Sequence, residues 1–156
     1  MEIKKTTFSP QSYVGIKKIT TFDEMRDAKT YEMVYGEIMA YLGKNNIKCT
    51  GAPVNIYYTW DEEKQETMMA IAMPVNDVDS VNNDELELMH IEESATLVAT
   101  HVGDYVSLKD SHEAVEKNMK ENGLELGEYV IEEYLTNPRV ESDKSKWLTN
   151  IYYLVK

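Results

Sequence analysis

The sequence predicts an α+β fold made of two copies of one supersecondary unit. Three observations predict it. Residues 46–59 recur as residues 123–136 at a constant offset without a gap, so that Ile47 matches Leu124, Cys49 matches Leu126 and Tyr57 matches Tyr134. Runs rich in β-branched and aromatic residues recur in both halves. Each half also carries one segment of helical periodicity. Together these give two repeats, at about 1–75 and 86–156, that share an antiparallel sheet with their two helices on one face. A duplication of this kind packs around a seam, and such a seam is a natural place for a ligand.

Within each half the order reads strand, strand, helix, strand, strand. The strands fall near 2–8, 13–20, 54–59 and 67–75, then near 86–93, 95–102, 130–136 and 148–155. Tyr31, Val34, Ile38 and Leu42 form the apolar stripe of the first helix; Leu108, Val115 and Met119 form that of the second. Asn45-Asn46 and Asn122-Gly123 end these helices, since Asn and Gly tolerate the left-handed conformation. Ser107 or Asp110 caps the second helix. Segment 76–85, acidic and rich in Asn, connects the repeats. The stretch 22–30 is a longer lead into the first helix than its counterpart and is expected at one mouth of the cleft.

Composition narrows the function. At 156 residues the chain is large enough for one domain with a real core. The net charge of -12 and the lack of a basic stripe argue against direct nucleic-acid binding. No apolar run approaches membrane-spanning length, and the N-terminus shows no signal-peptide core. A single cysteine, Cys49, fits a reducing cytoplasm and reads as a small core residue. His90, His101 and His112 are too widely spaced for a recognisable metal motif, and no glycine-rich phosphate loop or G-x-S-x-G elbow occurs. No cofactor is expected. His101 is expected to order the turn before Tyr105, and Trp147 to pack in the core.

Strand alternation places the candidate site. Val54, Ile56 and Tyr58 share one side of their strand, and Ile131 and Leu135 share one side of the matching strand. These sets are expected to pack on the helices. Asn55, Tyr57, Glu132 and Tyr134 would then line the opposite face, joined by Tyr152 from the last strand. One position breaks the repeat: Asn55 becomes Glu132. A lone carboxylate among tyrosines suits an organic cation, because desolvation of the carboxylate is relieved and ring faces attract positive charge. Trp60 lids this cleft or caps the core.

Four motifs carry a resemblance: His101-Val102-Gly103-Asp104-Tyr105; Glu121-Asn122-Gly123-Leu124; Glu132-Glu133-Tyr134-Leu135-Thr136-Asn137-Pro138; and Leu148-Thr149-Asn150-Ile151-Tyr152. With the duplication, they resemble the GyrI-like (gyrase-inhibitor-like) effector-binding domain, over nearly the whole chain. That domain occurs alone and as the ligand-sensing part of bacterial AraC-type and MerR-type transcription regulators. The resemblance implies β-α-β-β-type repeats, a cleft at their pseudo-twofold interface, and Glu132 with Tyr134 in that cleft. It implies binding of lipophilic aromatic cations by a multidrug-sensing module. Some free-standing relatives instead hydrolyse reactive electrophiles with the same glutamate, and the family name suggests a gyrase-binding inhibitor; the enzyme question stays open. Glu133 departs from the pattern, which usually has an apolar residue there. No helix-turn-helix precedes the domain in this sequence, so regulation would run through a partner or by sequestering ligand. Exposed strand edges leave room for a homodimer.

Overall fold

Eight strands and three α-helices make up the chain in the computed structural model, which describes residues 1–156. They sort into two compact units, Pro10–Glu92 and Met1–Ser9 with Glu93–Lys156. The expected α+β class and antiparallel duplication are both present.

The unit Pro10–Glu92 holds β2 (Gln11–Thr21), α1 (Phe22–Arg26), α2 (Ala28–Lys44), β3 (Val54–Asp61), β4 (Glu66–Val75) and β5 (Glu87–Ile91). Its strands lie in the order β3-β4-β2-β5, each antiparallel to its neighbour. Val34, Ile38 and Leu42 of α2 pack against Val14, Met69, Ile71, Met73 and Val75 of the sheet. Cys49 packs at the margin of this cluster, as its place in the apolar pattern predicts.

The second unit holds β1 (Ile3–Phe8), β6 (Ser94–Val102), α3 (Leu108–Glu121), β7 (Leu126–Tyr134) and β8 (Leu148–Val155), in the strand order β1-β6-β8-β7. Leu108 and Val115 of α3 pack on Leu97, Ala99, Ile151, Tyr153 and Val155. The edge strands do not pair within their own sequence halves. Strand β1 pairs with β6 (Ile3 opposite Ala99), and β5 pairs with β2 (Gln11 opposite Ile91). Each unit therefore completes its four strands with a strand from the other half of the sequence.

The helix ends follow local chemistry. Asp27 caps α2 by accepting from the Lys29 amide at 3.0 Å. Asn46 and Gly123 both take positive φ after their helices, at 56° and 65°. Ser107 occupies the N-cap of α3, but its side chain makes no capping bond; its hydroxyl turns to the Asp104 carbonyl instead. The stretch read as an extended lead contains α1, held by a capping box. The Thr21 hydroxyl accepts from the Glu24 amide at 3.1 Å, and the Glu24 carboxylate accepts from the Thr21 amide at 3.2 Å. Thr21→Ala removes half of this box and is expected to cost about 1 kcal/mol. An unchanged urea midpoint would show that the cap contributes nothing.

Candidate functional site

Strand β7 places the site. Its register sets Val130 opposite Tyr153, Glu132 opposite Ile151 and Tyr134 opposite Thr149. Directly opposed residues share a sheet face, and Ile151 and Tyr153 belong to the core under α3. Glu132 and Tyr134 therefore face the helix, not the side away from it as the alternation suggested. The same reversal holds in the other unit, where Asn55 and Tyr57 lie opposite Ile71 and Met69 beneath α2. The reason is that both faces of these strands are buried. Ile131 and Ile56 are fully buried on the faces turned from the helices, so apolar content does not tell the two sides apart.

Around Glu132 the side chains form a hydrogen-bonded chain. The carboxylate is 6% exposed. Its Oε1 accepts from the Tyr134 hydroxyl at 2.6 Å, and its Oε2 lies 2.7 Å from His112 Nε2 on α3. His112 Nδ1 sits 2.8 Å from the Tyr153 hydroxyl, which in turn donates to Glu116 Oε1 at 3.1 Å. His112 and Glu116 stand four residues apart on α3 and so share a helix face.

An aromatic wall adjoins this chain. Tyr105 meets Tyr134 edge-on at 5.5 Å and Trp147 at 4.8 Å. Trp147 is buried, as expected of a packing residue, and its indole N–H donates to the Glu141 carbonyl at 2.8 Å. Burial pushes the Tyr105 phenol up, with the Glu132 and Asp104 charges adding to it. The Tyr153 phenol is pushed up further, by burial first and then by Glu116. Both stay protonated donors at neutral pH.

The other predicted residues fall into separate places. Asn55 is 1% exposed and donates to the Tyr57 hydroxyl at 3.2 Å, while its side-chain oxygen has no hydrogen-bond partner. Tyr57 touches Trp60 edge-on at 6.0 Å, and Trp60, half exposed, stacks on Phe22 at 4.5 Å. These residues form the first unit's counterpart of the Glu132–Tyr134 corner, with an amide in place of the carboxylate. Tyr152 does not join Glu132. It lies opposite Ile131 and so occupies the other face of the sheet, where its hydroxyl donates to Glu133 at 3.2 Å and its ring meets Phe8. Glu133, which departs from the sequence pattern, is thus satisfied by Tyr152 and by Asn150 at 3.0 Å.

Burial and the Glu133 charge push the Tyr152 phenol up to about 12, from the ordinary 10.0. The folded state then holds this proton where the unfolded chain has lost it. Stability from this group is complete below pH 10 and is lost as pH rises from 10 to 12. Tyr152→Phe is expected to flatten that part of an alkaline unfolding profile. An unchanged slope would count against the shift.

Sequence reasoning missed His112, Tyr105 and Tyr153 as site residues. A signal for His112 was present: it falls on the Leu108, Val115 and Met119 stripe of α3, where a polar residue needs a buried partner. His101 plays the expected local role. Its ring bonds the Asp104 carbonyl at 2.9 Å and the Ser111 hydroxyl at 2.6 Å, ordering the turn before Tyr105. Glu132 lines neither of two open hollows on this unit's surface.

The family follows from the whole-chain match. The chain belongs to the GyrI-like small molecule binding domain family. The match covers residues 1–156. Among solved structures, the C-terminal domain of EcmrR superimposes with a TM-score of 0.85 at 17% identity, over 99% of this chain and 97% of that domain. EcmrR in its complex with DNA gives a TM-score of 0.84 at 17% identity, over 99% of this chain and only 57% of EcmrR. SAV2435 bound to tetraphenylphosphonium gives 0.69 at 16% identity, over 100% of this chain and 94% of the other. At these identities the likeness is one of fold. No curated protein matches the sequence. No helix of the chain is long and apolar enough to cross a membrane.

Proposed function

We propose that this GyrI-like chain is a receptor for an aromatic organic cation, an effector-binding module in which Glu132 is the counter-charge. The observation that carries the reading is a carboxylate only 6% exposed, set among tyrosine rings. Burying a carboxylate is costly unless positive charge or hydrogen bonds compensate. An organic cation against Tyr134 and Tyr105 offers compensation from both the charge and the ring faces. The net charge of -12 adds a long-range field that draws cations in. SAV2435, solved bound to such a cation, and EcmrR, a longer chain solved in complex with DNA, share this fold. By analogy the bound state would be reported to a regulatory partner. Within the unit Pro10–Glu92, Asn55, Tyr57 and Trp60 would form a ligand-contacting corner of their own, with the unpartnered Asn55 oxygen able to accept from a ligand N–H.

A parallel titration of wild type and Glu132→Gln with tetraphenylphosphonium tests the reading. Saturable binding that is lost in the variant supports it. Equal affinity in the two proteins, or an equal loss for a neutral aromatic of similar size, sinks it. Hydrolysis is the less favoured use of the same carboxylate, because at 6% exposure it has little access to the water that a general base must activate.

A further inference from the structure

The carboxylate proposed as counter-charge already has a cation-capable neighbour, His112, and the bonding around that ring specifies how the two compete. Glu132, when ionised, only accepts. His112 Nε2 at 2.7 Å must therefore carry a hydrogen. On the far side of the ring the Tyr153 hydroxyl has a single proton and directs it to Glu116. With that proton committed, His112 Nδ1 at 2.8 Å must also carry a hydrogen. All four contacts are hydrogen bonds at once only when the ring is imidazolium. Glu132 and His112 then cancel each other's charge.

A second arrangement needs no movement of the ring. If the Tyr153 hydroxyl turns from Glu116 to His112, Nδ1 becomes an acceptor. The ring is then neutral, and Nε2–H still donates to Glu132. Tyr153 can serve both states because its phenol keeps its proton. Glu116 lies at the surface, where water replaces the lost bond. The titratable groups facing this ring are Glu132 and Tyr134 from β7, Tyr153 from β8 and Glu116 from α3, with Tyr105 of the preceding turn against Tyr134.

We infer that His112 sets the charge preference of the site by exchanging its proton for the ligand: a permanent cation binds at Glu132 as His112 releases one proton to solvent. The inference rests on Glu132 being the counter-charge. In balance, the imidazolium–carboxylate pair plus a cation gives the cation–carboxylate pair, a neutral imidazole and a free proton. No covalent bond other than N–H is broken. With His112 charged, the site has no net attraction for cations and suits a neutral aromatic; with His112 neutral it selects cations.

The test uses tetraphenylphosphonium, whose own charge does not vary with pH. Its affinity is measured calorimetrically between about pH 6 and 8, where imidazole titrates and carboxylates do not. Buffers of different ionisation enthalpy report the protons released. Wild-type affinity is expected to rise by up to about tenfold for each unit of increasing pH at the acid end of this range, with about one proton released per cation there. His112→Gln is expected to bind with no pH trend and no proton release. Glu116→Gln, altered at an exposed position, removes the charged acceptor of the Tyr153 proton and is expected to reduce the protons released per cation bound. Binding by wild type that is flat in pH with no proton release overturns this inference and leaves the counter-charge reading standing. The same pH trend in wild type and His112→Gln also overturns it. No binding by either protein at any pH overturns the counter-charge reading, and this inference with it.

Discussion

Glu132→Gln is expected to raise the Kd for tetraphenylphosphonium about thirtyfold at pH 8 and to leave the fold intact. Unit charges about 4 Å apart attract by about 4 kcal/mol at an effective dielectric of about 20. Desolvation of both charges offsets about half of this, leaving about 2 kcal/mol, which corresponds to about thirtyfold in Kd. The variant is nearly isosteric. Its side-chain oxygen still accepts from Tyr134, and its amide can meet a neutral His112 ring whose Nε2 has become the acceptor. Thermal melting should therefore change little, which separates lost binding from lost structure. A change in Kd of less than threefold in a folded variant would show that the carboxylate is not the ligand's counter-charge.

Gly15→Val is expected to destroy the first unit's sheet, and Gly15→Ala to weaken it by roughly 3 kcal/mol. Gly15 lies buried in β2, flanked on both sides by β4 and β5. A Cβ there would stand 2.6 Å from Ala72 Cβ and 2.8 Å from Ala72 Cα, and closer still to the Ile71 carbonyl oxygen. These atoms are backbone or fixed to it, so no side chain can turn aside to relieve the clash. A domain of this size has a total stability of about 5–15 kcal/mol, so the alanine variant folds with a lower urea midpoint. The valine variant is expected in the insoluble fraction. An alanine midpoint equal to that of wild type would mean that β2 and β4 separate at no cost.

Several features of this protein could be seen from local sequence. The strand from 148 to 155 and the apolar stripe of α2 appear where their patterns placed them. Asn46 and Gly123 end their helices in the left-handed conformation, because that backbone state depends on the residue itself. Ile151, Tyr153 and Val155 turn inward like Ile71, Met73 and Val75 of β4, but the sequence leaves both registers of that last strand plausible. Glu132 stood out because the duplicated copy carries Asn55 in its place.

The pairing of β1 with β6 and of β5 with β2 was not legible in this way. A strand's periodicity says that it pairs, while the partner is selected by packing over a long sequence separation. The face of Glu132 escaped for a related reason. With Ile131 buried on one side and Ile151 opposite Glu132 on the other, alternation is symmetric between the two faces. Only the position of α3 decides which face is which. The same helix brings His112 to 2.7 Å from Glu132 across twenty residues of sequence. Local pattern is thus enough for the two long helices, the last strand, the duplication and the identity of the unusual carboxylate, because each is a property of neighbouring residues. Tertiary structure alone decided which way that carboxylate points and which base it meets, because those depend on a helix whose docking no local pattern encodes.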